Sequence, residues 1–596
     1  MDIYTLTITI SIVIYIAVGN YAGRSVKKLD DYYVAGRRAP TLLIVGTLVA
    51  SVFSSTIFLG EAGFTYEGQM GPFLLFPQIA TVGYIYGALL FGRYIRRSRA
   101  PTVADFFGKR FDSRRVQVAA GVTVIVALGG YLVVVTQGAA ILLSGLTDLS
   151  YTQALIIAWL SYTAFTMYSG SRGVILTDTI MFLLFTTAAF IASIYVVDSF
   201  GGMSATIEGL AAQQDKPGIA SWHGTVGPDT NWPTAMDYLI WTLIIDIAWG
   251  IVYAVSPWQS SRHLMARNEH VVIRASIFAC LAVALVQLLV YGTGGFANLA
   301  NVNIEPSETV MIWTAKNLLP DFLGALLLAG IMAAALSSAS TFLSLVGFSV
   351  SNDLVSHKER SEKKAITVSR LVMLGVGVVA LSATFIFPPS IFWVTYFVGT
   401  VFASSWGPVG FMSIWSKRIT KDGAFYGIIS GFICNVVPTI LNFIGLIDLP
   451  SYLDPILIGA VVSLIVTIGV SSLGTVSRAE DHYRMQLHRT PSDEIDLNKT
   501  RVTLWVPTIL IIYGCLMPFV MQHWYVKPYQ RGTGQIMADG SINWATGEAI
   551  LSISWALLYV PLGLITYRVI RSSYSPGAKR KSSEAGARSR EWRAAS

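Results

Sequence analysis

Residues 321–350 read DFLGALLLAGIMAAALSSASTFLSLVGFSV, and their middle, 333–341, reads AAALSSAST. The bilayer core is about 30 Å thick and a helix rises about 1.5 Å per residue, so roughly 20 apolar residues make one crossing. The stretch is long enough to span, yet it carries Ser337, Ser338, Ser340 and Thr341 at mid-depth. At 100° per residue Ser337, Ser340 and Thr341 share one face, and Ala334 lies three and four positions before Ser337 and Ser338. A single such hydroxyl is accounted for by a bond to its own helix or by close helix packing. Four within five positions point to a ligand. Oxygens from hydroxyls, carbonyls and at most one carboxylate suit a hard monovalent cation better than calcium.

The rest of the chain has the same character. Of 596 residues, 53% are hydrophobic and 13% charged, and the mean hydropathy is +0.58. That balance excludes a soluble protein of this size and predicts an all-α membrane protein. Fifteen apolar runs are long enough to span, near 4–22, 41–64, 71–92, 117–145, 151–168, 174–199, 235–255, 273–295, 320–350, 367–388, 391–415, 423–445, 454–473, 502–520 and 547–567. Strand alternation is absent, which argues against a barrel. The first run lacks a basic n-region and a cleavage site, so it reads as a retained helix.

Charge sets the orientation. With the N-terminus outside, 38 of the 42 Lys and Arg residues fall in inner segments, leaving Lys216, Lys316, Lys527 and Arg531 outside. This count treats 258–274, with Arg262, as an inner loop. The basic balance therefore reflects topology rather than nucleic-acid binding, and the tail KRKSSEAGARSREWR reads as an inner-face anchor to anionic lipid. The localisation expected is an inner (plasma) membrane with a cytoplasmic C-terminus. Cys280, Cys434 and Cys515 lie within runs and carry no disulfide signal. There is no nucleotide-binding glycine loop, HExxH, CxxC or Gly-x-Ser-x-Gly. No enzyme machinery is visible, and no obligatory protein partner.

An ionised carboxylate at mid-membrane costs ~2.5–3.5 kcal/mol even on lenient scales, so each buried acid requires a reason. Asp178, in GVILTDTIMFLLF, lies near the start of its helix, where an interfacial position is one reading. Asp246, in WTLIIDIAWG, sits deeper, and three roles stay open: acceptor from a neighbouring helix, substrate ligand or proton carrier. Glu61 sits towards the outer mouth, where plain solvation stands beside a substrate or proton role. In the second run, LVASVFSSTIFLGEAGF, hydroxyl and β-branched residues between Gly46, Gly60 and Gly63 weaken a regular helix. Unwinding there would free backbone carbonyls for a cation.

These residues resemble the sodium:solute symporter family over about residues 1–475. The matching segments are DDYYVAGR (30–37), PTVADFFGKRF (101–111), LTDTIMF around Asp178, WGIVYAVSPWQSSRHLMA (249–266), the hydroxyl segment 333–341, and SIWSKRITKDGAFYG (413–427). Each is weak alone; six in order are strong. The resemblance implies the leucine-transporter-type fold, a five-plus-five inverted repeat with the first helix of each repeat broken at the midplane. The divisions expected are an N-terminal helix and inner loop (1–40), a first repeat (41–199, helices 2–6), an outer loop (200–234), a second repeat (235–422, helices 7–11), additional helices 12–15 (423–569) and a basic tail (570–596).

The resemblance further implies Na+ as coupling ion, held by the carbonyls of Ala50, Phe53 and Ala334 and the hydroxyls of Ser337 and Ser338. The second sodium site of some members would fall on Asp178, Ser337, Ser340 and Thr341. The spacing of Trp249, Gly250, Tyr253, Pro257 and Arg262 is similar to the proline-transporting branch rather than the sugar branch, which places substrate among Ser54, Ser55, Trp249 and Tyr253. Val52 and the GEAG segment depart from that branch, which has an acidic residue and Gly-x-Pro-Gly there. The function implied is sodium-coupled import of a small amino acid-like or monocarboxylate-like solute. A sugar or vitamin symporter of the same family and a transporter-like sensor are the alternatives.

Overall fold

The computed structural model describes residues 2–228, 230–355, 361–387 and 391–574. The basic stretch at 579–593 lies outside the described residues. Helices occupy every apolar run. They are α1 (Ile3–Gly23), α2 (Thr41–Ala50), α3 (Thr56–Leu74), α4 (Phe76–Ser98), α5 (Arg114–Leu146), α6 (Tyr151–Ser169), α7 (Ser171–Ser199), α8 (Ala235–Val255), α9 (Pro257–Met265), α10 (Glu269–Phe296), α11 (Asp321–Phe348), α12 (Glu362–Thr384), α13 (Ile391–Ser405), α14 (Gly407–Trp415), α15 (Lys421–Phe443), α16 (Pro455–Ser472), α17 (Leu497–Met521) and α18 (Gly547–Tyr574). Among the described residues the one β-type pairing is an isolated bridge between Ala39 and Ala266.

By length and apolarity twelve helices qualify as membrane spans, or thirteen when the bent pair α3–α4 counts as one. Two of the fifteen runs expected from the sequence are helical but fall short by that measure. The run at 41–64 is interrupted after Ala50, so α2 alone is short, and α6 is diluted by its Tyr, Thr and Ser residues.

Two interruptions shape the interior. After α2 the amides of Val52 and Phe53 both bond to the Val49 carbonyl at 3.0 Å. Ser51 Oγ donates to the Leu48 carbonyl at 3.1 Å, and Ser54 Oγ accepts from the Thr56 amide at 3.1 Å. Such local side-chain bonds offer the backbone an alternative to the helical ladder, and the chain resumes in wide turns over Thr56–Glu61. The second interruption is Ser256, extended at φ −56°, ψ 146°, between α8 and α9. Pro257 opens α9, where its missing N–H leaves no donor wanting.

α11 is the central element, buried on all sides from Leu327 to Phe348, which is why its sequence is apolar around the full circle. α2 lies close against α7, since a Cβ on Gly46 would come within 2.7 Å of Thr179 Cα. At the C-terminal end α17 packs on α18 and on α10. Tyr559 on α18 meets Thr81 Oγ1 at 2.9 Å and donates to the Gln78 carbonyl at 3.1 Å, while Tyr574 donates to Glu269 at 2.6 Å.

Candidate functional site

One hydroxyl of α11, that of Ser338, faces the interruption after α2. Ser338 Oγ donates to the Phe53 carbonyl at 3.0 Å and lies 3.4 Å from that of Ala50. Ala334 lies one turn earlier on α11, and all four of these residues are buried. A hydroxyl and the carbonyls of a broken helix thus converge, with Ser337 beside them. These are neutral oxygen donors, the chemistry that fits an alkali cation.

Ser337 Oγ turns to α7 and donates to Asp178 Oδ1 at 2.7 Å, while Thr47 of α2 donates to Asp178 Oδ2 at 2.6 Å. Asp178 is completely buried rather than interfacial. The structure also moves Arg262. Counted among inner-loop charges from the sequence, it lies on α9 with no exposed surface. Its Nη2 is 3.7 Å from Asp178 Oδ2 and donates to Thr341 Oγ1 at 2.5 Å, and its Nε donates to Thr47 Oγ1 at 3.1 Å. The correction is physical: an arginine can be buried when a carboxylate and hydroxyls compensate it. Two of the four residues of the implied second sodium site, Asp178 and Thr341, therefore meet a guanidinium. Ser340 stands apart from them, bonding back to the Ser337 carbonyl at 2.8 Å.

Two adjoining cavities lie beyond the interruption. Trp249 lines both, and Tyr253 lines the second, where it stacks on Tyr84 with centroids 4.8 Å apart. Ser54 and Ser55 line neither. Ser54 is held by the Thr56 hydroxyl, and Ser55 faces α5, where its Cβ packs against Gly138. Thr56 lines the first cavity in their stead. Glu61 lines both cavities and accepts a hydrogen bond from the Tyr291 phenol. Asp246 lines neither; it is buried, and its Oδ1 has no hydrogen-bond partner among the described residues.

Sequence reasoning missed Thr47, the guanidinium of Arg262 as an interior group, and the further aromatic walls Trp241, Tyr131 and Trp258. A signal for Arg262 was present, since PWQSSRHLM follows a span directly and is poor in charge. None was present for Trp241 and Tyr131, which lie in predominantly apolar helices.

A profile described as the sodium:solute symporter family matches residues 32–431. The sodium/proline symporter of Escherichia coli (strain K12) is 24% identical over 460 residues, covering 73% of this chain and 87% of that protein. The sodium/pantothenate symporter of the same organism is 24% identical over 426 residues, covering 70% of this chain and 85% of that protein. Among solved structures, a Na+-coupled sialic acid symporter in a substrate-bound, outward-open state superposes with a TM-score of 0.67 at 19% identity, covering 80% of this chain and 99% of that one. That likeness shows a common fold.

Proposed function

The chain belongs to the sodium:solute symporter family, and on that premise we propose where its sodium binds and what kind of solute it moves. It is an integral membrane protein of leucine-transporter-type fold that carries a small solute with sodium, and it is not an enzyme. In our reading the sodium site is formed by the carbonyls of Ala50, Phe53 and Ala334 with the hydroxyls of Ser337 and Ser338. The observation that carries this is the Ser338 hydroxyl, placed 3.0 and 3.4 Å from the carbonyls of Phe53 and Ala50 across the interruption. These donors are uncharged, so a monovalent ion is matched and a divalent one is under-compensated.

Sodium bound there ties α11 to the broken helix and favours the conformation that binds solute; rocking of residues 41–199 against 235–422 exposes both to the other side. With the N-terminus outside and the C-terminus in the cytoplasm of an inner membrane, the inward step gains about 2.3 kcal/mol per charge per 100 mV. The coupling is reciprocal, so solute tightens sodium by the factor with which sodium tightens solute. We read the Asp178 pocket as served by Arg262, which gives one sodium per cycle. Support for this is the guanidinium contact with both Asp178 and Thr341. An amino acid-like or monocarboxylate-like solute would sit against Trp249 and Tyr253.

The test is uptake in proteoliposomes at fixed pH with sodium or potassium inside and out. Sodium-dependent accumulation with a Hill coefficient near one supports the reading. Accumulation driven equally by a proton gradient in potassium sinks it.

A further inference from the structure

Glu61 is the one carboxylate among the residues lining the two cavities, and the walls around it are aromatic. Phe73, Phe76, Trp241, Trp249, Phe392 and Tyr396 enclose the first cavity, and Tyr131, Tyr253 and Trp258 complete the second. In this conformation both voids are tight, each with room for roughly one water.

The hydrogen bonds at Glu61 have a direction. Gln287 Nε2 donates to the Tyr291 phenol oxygen at 3.0 Å, and that phenol donates to Glu61 Oε2. The chain of donors ends on the carboxylate, which it holds as an acceptor. No ion pair to Glu61 is found among the described residues. Asp178 has its guanidinium; Glu61 has a phenol. Aromatic faces attract cations and offer nothing to an anion. Besides Glu61 and the tyrosine phenols, the only side-chain oxygens among the residues lining the two cavities are the hydroxyls of Thr56 and Thr395, and rings make up most of the walls.

We propose that the transported solute carries an alkylated ammonium, whose nitrogen is neutralised by Glu61 and whose alkyl groups lie against the aromatic walls. An alkylated nitrogen fits better than a primary one, because rings supply no acceptors for several N–H donors while they do receive N-methyl or ring methylene groups. The proposal rests on the symporter reading above and narrows it. Of the two solute classes named there, it selects the amino acid-like zwitterion or a simple organic cation and rejects the plain monocarboxylate, which Glu61 would repel.

The experiment compares molecules that differ in one atom. The full-length purified protein is melted in sodium and in potassium with choline, glycine betaine, proline and tetramethylammonium, and with the carbon isosteres 3,3-dimethylbutanol and 3,3-dimethylbutanoate. The expected result is a sodium-enhanced rise in melting temperature with at least one cation or zwitterion, none with its isostere, and at least a tenfold loss of its affinity in Glu61→Gln. Glu61→Asp should recover part of that loss. Stabilisation by sodium alone should persist in both variants, which shows that they fold and separates this proposal from the sodium site. If sodium alone fails to stabilise the wild-type protein, the symporter site reading fails instead. The ammonium proposal is overturned if an isostere or a monocarboxylate binds as well as its charged partner, or if no cation gives a Glu61-dependent shift. It is also overturned if Glu61→Gln merely abolishes a dependence of uptake on the proton gradient, which would make Glu61 a proton carrier.

Discussion

Two of the carboxylates inside the helical bundle have opposite surroundings. Asp178 is met by Thr47, Ser337 and the Arg262 guanidinium and has no exposed surface. Glu61 is met by the Tyr291 phenol and faces two aromatic-walled cavities. A compensated acid in a sealed pocket locks helices together. One that lacks a cation and borders a cavity is a place for something that arrives with its own charge. The fold thus separates holding from receiving, although α2 and α3 deliver a residue to each task.

The sharpest way to break this contrast is to strip Asp178 of its partner. Arg262→Met should abolish uptake and lower stability by about 3–5 kcal/mol, the usual penalty for leaving a buried charge unpaired. The double variant Asp178→Asn, Arg262→Met should regain much of that stability, measured by thermal melting in detergent. Equal damage in single and double variants would show that the pair is not the lock.

Next in size is Ser338→Ala, which removes the hydroxyl that meets the carbonyls of Phe53 and Ala50. The sodium concentration for half-maximal uptake should rise about tenfold, as expected for one lost ligand-type hydrogen bond or oxygen contact of roughly 1.4 kcal/mol. The maximal rate in saturating sodium should change much less.

A third carboxylate, outside the lipid, sharpens the rule that burial without a cation leaves an acid uneasy. Glu494 lies in the loop before α17, where one oxygen accepts the Glu269 amide at 3.1 Å and the other has no partner among the described residues. Burial, with the nearby Glu269 charge added, pushes its carboxyl up to about 7, against the smaller lowering effect of the Glu269 amide. Because the folded state holds the proton more tightly than the unfolded chain, stability should fall as pH rises from the ordinary Glu range to about 7 and level off above it. Glu494→Gln should flatten that slope in melting curves taken between pH 5 and 8.

The smallest effect belongs to Ser340→Ala. Its hydroxyl bonds within its own helix, so melting temperature and sodium affinity should stay near wild type, within about 0.5 kcal/mol. A large loss of sodium affinity would instead place Ser340 in an ion site with Asp178 and Thr341.

Much of the proposed sodium face was legible in the sequence. Four hydroxyls in an apolar span and a glycine- and serine-rich second run are conspicuous because lipid offers polar groups no water. The structure brings Ser338 beside the Ala50 and Phe53 carbonyls, three of the five residues that the family resemblance implies as ligands. The aromatic cavity was only half legible. Trp249 and Tyr253 were named, and Glu61 stood between solvation and a substrate or proton role, but Ser54 and Ser55 were expected where Thr56 stands. Local unwinding rotates successive side chains by amounts that helical periodicity cannot supply.

The sequence by itself determined that this chain lives in a membrane, is built of helices and belongs with sodium-coupled carriers, because hydrocarbon thickness and the need to satisfy every backbone polar group leave few alternatives. Which charges meet was decided by tertiary structure alone. Arg262 reads as a loop residue until α9 folds inward and sets it beside Thr47, 215 positions away; Glu61 reads as solvated until Tyr291, 230 positions away, closes over it. Such pairings depend on how distant helices pack, and no pattern along the chain encodes the angle at which they cross.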